Sequence, residues 1–140
     1  MKEKIELDIS VPNQTRYLSL IGRIGEEIAR TLEHYEGDRD ELAYHINLVL
    51  TEATTNAIRH GNEGNPDKDV HITITIAEDL LYIRVYDHGQ GFDISTLPEP
   101  DFDFLEDHGR GIFVIRSLMD RVSYLPSNGG YVLEMTKRLL

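Results

Sequence analysis

Apolar residues recur along this chain in two rhythms. Ile5, Leu7 and Ile9 alternate with Lys4, Glu6, Asp8 and Ser10, the period-two pattern of a strand with one buried face. Pro12 and Asn13 end it. Tyr17, Ile21, Ile24, Ile28 and Leu32 return at helical spacing, which predicts an amphipathic helix from about Gln14 to His34, with Gly37 and Asp38 marking its end. A second helix is predicted from about Asp40. Its stripe is Leu42, Ile46, Val49, Ala53 and Ala57, and "HGNEGNPD" closes it. Val70, Ile72, Ile74 and Ile76, then Leu81, Ile83 and Val85, alternate again across a short "AEDL" connection, as an antiparallel hairpin does. Residues 92–108 are rich in acid, proline and aromatic residues and lack a sustained period, so they read as a loop or lid. "GRGIFVIRSLMD" starts a third helix with Ile112, Ile115, Leu118 and Met119 inward, and a hairpin about "PSNGG" finishes the chain.

The order β, α, α, β, β, lid, α, β, β places strands in adjacent hairpins rather than in βαβ alternation. It predicts an α+β two-layer sandwich, with a mostly antiparallel, mixed sheet and the helices on one face. At 140 residues the whole chain, 1–140, is expected to form a single domain.

Three polar features interrupt this apolar pattern. Residues four apart on a helix lie only about 40° apart around its axis, so Glu52 and Asn56 line up beside the stripe of the second helix. They either meet water and a neighbouring loop or form the floor of a polar site. Asp87 continues the inward series Leu81, Ile83, Val85, and a buried carboxylate must be paired or hydrogen-bonded. Gly89 and Gly91 follow it in "DHGQGF", leaving room for close approach of a flat ligand or simply making a turn. In "HGRGIF", Gly109 and Gly111 bracket Arg110 at a helix start, where backbone amides and the helix dipole attract anions.

Composition narrows the chemistry. Lys and Arg number 14 against 25 Asp and Glu, a net charge of −11 that argues against direct contact with nucleic acid and for basic partner surfaces. With no cysteine there is no disulfide framework and no thiolate metal site, which fits a reducing cytoplasm. The charged, alternating N-terminal segment reads neither as a signal peptide nor as a membrane span. The six histidines show no metal-ligand spacing; His34, His45 and His71 read as surface residues. No P-loop or nucleophile-elbow motif occurs.

Taken in order, "EATTNAIRHG", "DHGQGFD" and "GRGIFVIRSLMDRV" resemble the small bacterial anti-sigma-factor serine/threonine protein kinases of the GHKL (Bergerat-fold) ATPase superfamily. That resemblance implies ATP and Mg²⁺ as cofactors, with Asn56 on the metal and Asp87 accepting a hydrogen bond from the adenine amino group. It implies that Gly89 and Gly91 lie against adenine and ribose, and that Gly109, Arg110 and Gly111 contact the phosphates. Arg59 and His60 fall among the nucleotide-binding residues, and Glu52 is the general base. Its implied partners are a sigma factor, an anti-anti-sigma protein of the STAS type, and a second copy of the chain joined through the first strand and first helix. Arg16 or Arg23 would offer a basic contact to an acidic sigma surface. One departure is Asp107, where some members carry an arginine that assists transfer. It leaves open a nucleotide-regulated binding module without efficient phosphoryl transfer. The detached catalytic domain of a histidine kinase is a third reading.

Overall fold

The computed structural model describes residues 3–89 and 110–139, with Arg110 described by its backbone alone. The strands are β1 (Ile5–Pro12), β2 (Asp69–Ala77), β3 (Leu80–Asp87), β4 (Arg121–Ser127) and β5 (Gly130–Arg138). They form one sheet in the order β1-β2-β3-β5-β4, and all four pairings are antiparallel. The helices are α1 (Leu18–Thr31), α2 (Arg39–Asn56) and α3 (Arg110–Leu118). This is the α+β arrangement the order of elements predicted.

Alternation in the strands sorts the two faces. Val70, Ile72, Ile74 and Ile76 of β2 and Leu81, Ile83 and Val85 of β3 are buried, and they share one core with Ile21 and Ile28 of α1, Ile46, Val49, Leu50 and Ala53 of α2, and Ile112 and Ile115 of α3. The other face is polar. There Arg84 meets Glu134 across β3 and β5 at 3.6 Å, and His71 of β2 contacts Asp8 of β1 and stacks on Tyr86. His71 is therefore a tied surface residue, not a loose one.

The first helix is shorter than its apolar pattern. A 3₁₀ turn, Thr15–Tyr17, precedes α1, and Gln14 makes no side-chain cap bond. At the other end Leu32 leaves the helix in extended backbone (φ −61°, ψ 129°) and drops its side chain into the core. Burial of Leu32, not helix propensity, sets this end. Gly25 lets α1 press onto α2: a methyl group there would meet Leu50 and Ile46 at 2.6 and 2.7 Å. The start of α2 is capped by Asp38, whose Oδ1 accepts from the backbone N–H groups of Asp40 (3.0 Å) and Glu41 (3.2 Å). The Arg30 guanidinium on α1 donates to Asp40 Oδ1 at 2.8 Å, and that hydrogen bond is the largest cause of its pKa lying above the usual value. Between β2 and β3 the chain reverses through Glu78 (φ 53°) and Asp79 (φ 66°), two left-handed residues in the arrangement whose twist matches the flanking strands.

Candidate functional site

At its C-terminal end α2 widens. Ala57–Gly61 form a π turn, in which the Asn62 N–H reaches back five residues to the Ala57 carbonyl at 2.7 Å. The extra residue per turn swings Gly61 under the end of β3. A side chain at Gly61 would collide with the Asp87 carboxylate, one at Gly89 would collide with the Gly61 carbonyl, and one at Gly130 would collide with the Asp87 carbonyl. Three chain segments therefore close around a single aspartate because three residues lack a Cβ.

Asp87 itself is 4 % exposed, as its place in the alternation predicted. Its Oδ1 accepts from the Gly89 backbone N–H at 2.9 Å and its Oδ2 from the Tyr124 hydroxyl at 3.1 Å. A carboxylate offers about four lone-pair directions, and these two donors among the described residues occupy two of them. The sequence supplied the inward aspartate but not its protein partners, because Tyr124 stands 37 residues further on.

Asn62 is the second feature the sequence did not reveal. It is fully buried and every polar atom of its amide is used: Nδ2 donates to Asn13 Oδ1 (3.0 Å) and to the Asp69 carbonyl (2.9 Å), and Oδ1 accepts from the His88 N–H (2.7 Å). Asn13 continues the network by donating to the Asn65 carbonyl at 3.0 Å. The end of β1, the start of β2, the turn after α2 and the residue after Asp87 are thus held by one amide. The only hint in the sequence was an asparagine next to the helix-ending glycine.

Glu52 and Asn56 lie on α2 where α3 begins. A methyl group on Gly111 would stand 2.8 Å from Glu52 Oε2 and 3.1 Å from Asn56 Nδ2, so the opening turn of α3 faces both side chains at close range. Asn56 Nδ2 is buried and has no hydrogen-bond partner among the described residues. An amide left unsatisfied in this way costs stability unless a further group completes it. Arg59 and His60 sit exposed on the π turn. Gly91, Asp107, Gly109 and the segment 92–108 that reads as a loop or lid lie outside the described residues, as does the side chain of Arg110.

The structure therefore brings Glu52, Asn56 and Gly111 together at one end of the site. Asp87 and Gly89 meet at the other, and the π turn runs between them. A polar amide and a carboxylate beside a helix start, with a buried acceptor beyond, is an arrangement that can receive an anion at one end and hydrogen-bond donors at the other. Residues 11–137 match the family described as "Histidine kinase-like ATPase domain". The chain is 31 % identical over 144 residues to the anti-sigma F factor of Bacillus velezensis, covering 99 % of this chain and 94 % of that protein. It is 31 % identical over 147 residues to the serine-protein kinase RsbW of Listeria monocytogenes serotype 4a, covering 98 % and 88 %. Among solved structures it is similar to the blue-light activated histidine kinase of Erythrobacter litoralis EL346, with a TM-score of 0.56 and 17 % identity over 92 % of this chain and 42 % of that one, a likeness of fold alone. The chain belongs to the histidine kinase-like ATPase domain family.

Proposed function

We propose that this protein is an ATP-dependent serine protein kinase that acts as an anti-sigma factor, phosphorylating an anti-anti-sigma partner and sequestering a sigma factor. The observation that carries it is the pairing of Glu52 with Asn56 against the start of α3, opposite the buried Asp87. Relatives of nearly equal length named anti-sigma F factor and serine-protein kinase support the reaction and a sigma factor as partner.

The unpartnered Asn56 Nδ2, buried and without a partner among the described residues, is a donor and suits an acceptor such as a phosphate oxygen, while the Oδ1 of the same amide would be the atom offered to the cation. No group of three or more His, Asp or Glu among them is arranged to hold a metal ion, which suits a cation that takes most of its ligands from phosphates and water. When bound there, Mg²⁺ would neutralise charge on the phosphates. Glu52 accepts the proton of the attacking serine hydroxyl. Backbone amides at Gly111, with Gly109 and Arg110, receive the phosphates, and Arg59 and His60 border them from the π turn. Asp87 holds the adenine amino group beside Gly89 and Gly91.

The partner surfaces follow from the same reading. β1 is an edge strand, and beside it Leu7, Leu20, Ile24 and Ile28 line a groove edged by Arg23, Glu27 and Thr31, with Leu20 52 % exposed. A second copy of the chain would cover it. Arg16 and Arg23 are exposed on the same segment and suit an acidic sigma surface. No helix among the described residues is long and apolar enough to cross a membrane. Partners that regulate transcription support a cytoplasmic location.

The test is incubation with Mg-ATP and a candidate anti-anti-sigma protein, read by mass spectrometry for phosphoserine. Wild type is expected to transfer phosphate, and Glu52→Gln to slow transfer by roughly 10²–10⁴, the usual share of a general base. Absence of transfer to every partner would overturn the kinase assignment. Unchanged transfer by Glu52→Gln would overturn the base.

A further inference from the structure

Tyr124 projects from β4 on the helix-covered side of the sheet, yet its hydrogen-bond acceptor Asp87 is on β3, two strands away. β5 lies between them, and there Tyr131 pairs with Asp87 in the β3–β5 register. The Tyr124 ring reaches across β5 by stacking on Tyr131, with centroids 5.0 Å apart and planes inclined by 15°. Stacking fixes the ring, and the ring fixes the hydroxyl 3.1 Å from Asp87 Oδ2. The Gly89 N–H holds the other oxygen, Oδ1, at 2.9 Å.

An ionised carboxylate only accepts hydrogen bonds, so its orientation decides which purine edge it can read. Directed at the 6-position it favours an amino group and repels a carbonyl oxygen. Rotated or displaced, it can instead accept from the N1–H and 2-amino group of guanine. Two donors on two different oxygens, one from backbone and one from a stacked ring, leave the carboxylate no freedom to rotate. We propose that Tyr124 is a positioning residue for base selectivity: its hydroxyl holds Asp87 in the orientation that selects a 6-aminopurine nucleotide. This rests on Asp87 as the acceptor of the base's amino group.

Tyr124→Phe removes the hydroxyl and keeps the stacked ring, so the fold is expected to persist. Affinities for ATP, GTP and purine riboside triphosphate, which lacks the 6-amino group, are measured by calorimetry on the full chain with Mg²⁺ present. Wild type is expected to favour ATP over both analogues by about tenfold or more, the effect of one hydrogen bond to a charged group. In Tyr124→Phe that preference should shrink to about threefold or less through weaker ATP binding, with affinity for purine riboside triphosphate unchanged. A merely structural role would weaken all three nucleotides alike, and that result would overturn the proposal. So would full ATP preference retained in the variant. If wild type shows no preference for ATP over purine riboside triphosphate, the assignment of Asp87 fails first and the role of Tyr124 fails with it. Tyr131→Phe, which keeps the stack, should leave selectivity as in wild type. Should Tyr124→Phe not fold, Tyr124→Met, of similar reach without a hydroxyl, is subject to the same criteria.

Discussion

Asn62 offers the sharpest test of how the site is held together. Truncation to alanine removes three hydrogen bonds of 2.7–3.0 Å and strands the His88 N–H, the Asp69 carbonyl and the Asn13 amide oxygen around a fully enclosed space. Each stranded group costs about 1–3 kcal/mol. A water with several polar partners can occupy a vacated polar cavity and recover part of that cost. The expected loss is therefore about 3 kcal/mol, at the lower part of the summed range. For a domain of this size that corresponds to a fall of very roughly 10 °C in melting temperature. Asn62→Asp keeps the shape and the acceptor facing His88 but turns the Nδ2 donor into an acceptor opposite two others, so at neutral pH it should cost at least as much. Urea titrations at one fixed protein concentration measure both, with an unchanged m-value as the check that the denatured state is the same. If both variants fall within about 1 kcal/mol of wild type, the network is not a structural hub and its bonds are readily exchanged for water.

Two glycines give complementary outcomes. Gly111→Ala should favour α3 by up to about 1 kcal/mol in intrinsic helix propensity while crowding Glu52 and Asn56, so melting temperature should hold or rise as phosphoryl transfer falls by roughly tenfold or more. A variant that is fully active would show that the start of α3 stands off from α2 in the working enzyme. Gly61→Ala presses on a carboxylate pinned by two donors and should cost about 1–3 kcal/mol in the same titrations together with a loss of ATP affinity, the usual cost of overpacking. Retention of both stability and affinity would show that the junction at Asp87 yields.

The elements were legible because their signals are local. Helical stripes and strand alternation depend on neighbours within a turn or two, and Asp87 declared itself by parity: three apolar residues and a carboxylate on one face of β3. The lining of Asp87 was not legible. Its donor Tyr124 is 37 residues away, and Asn62 bonds across 49 residues to Asn13 and across 26 to the backbone of His88. No spacing rule reaches that far. Gly89 was readable only as an allowance for a ligand or a turn, yet it also packs against Gly61, since the widening of α2 into a π turn carries no sequence marker that a stripe count detects. The end of α1 moved for a similar reason: Leu32 continues the helical spacing but is buried from an extended backbone.

The placement of β5 bears on how the protein is made. It is the last strand in the sequence, but it lies between β3 and β4, and its first residue presses on the Asp87 backbone. A chain still emerging from the ribosome can assemble the early hairpin and pack α1 on α2, but it cannot enclose Asp87 until β5 has been translated. Nearly all pairings of that strand with β3 span about fifty residues, so closure comes late on topological grounds. A nascent chain therefore has no finished site, and any ligand that binds only the finished one pulls the whole sheet toward completion.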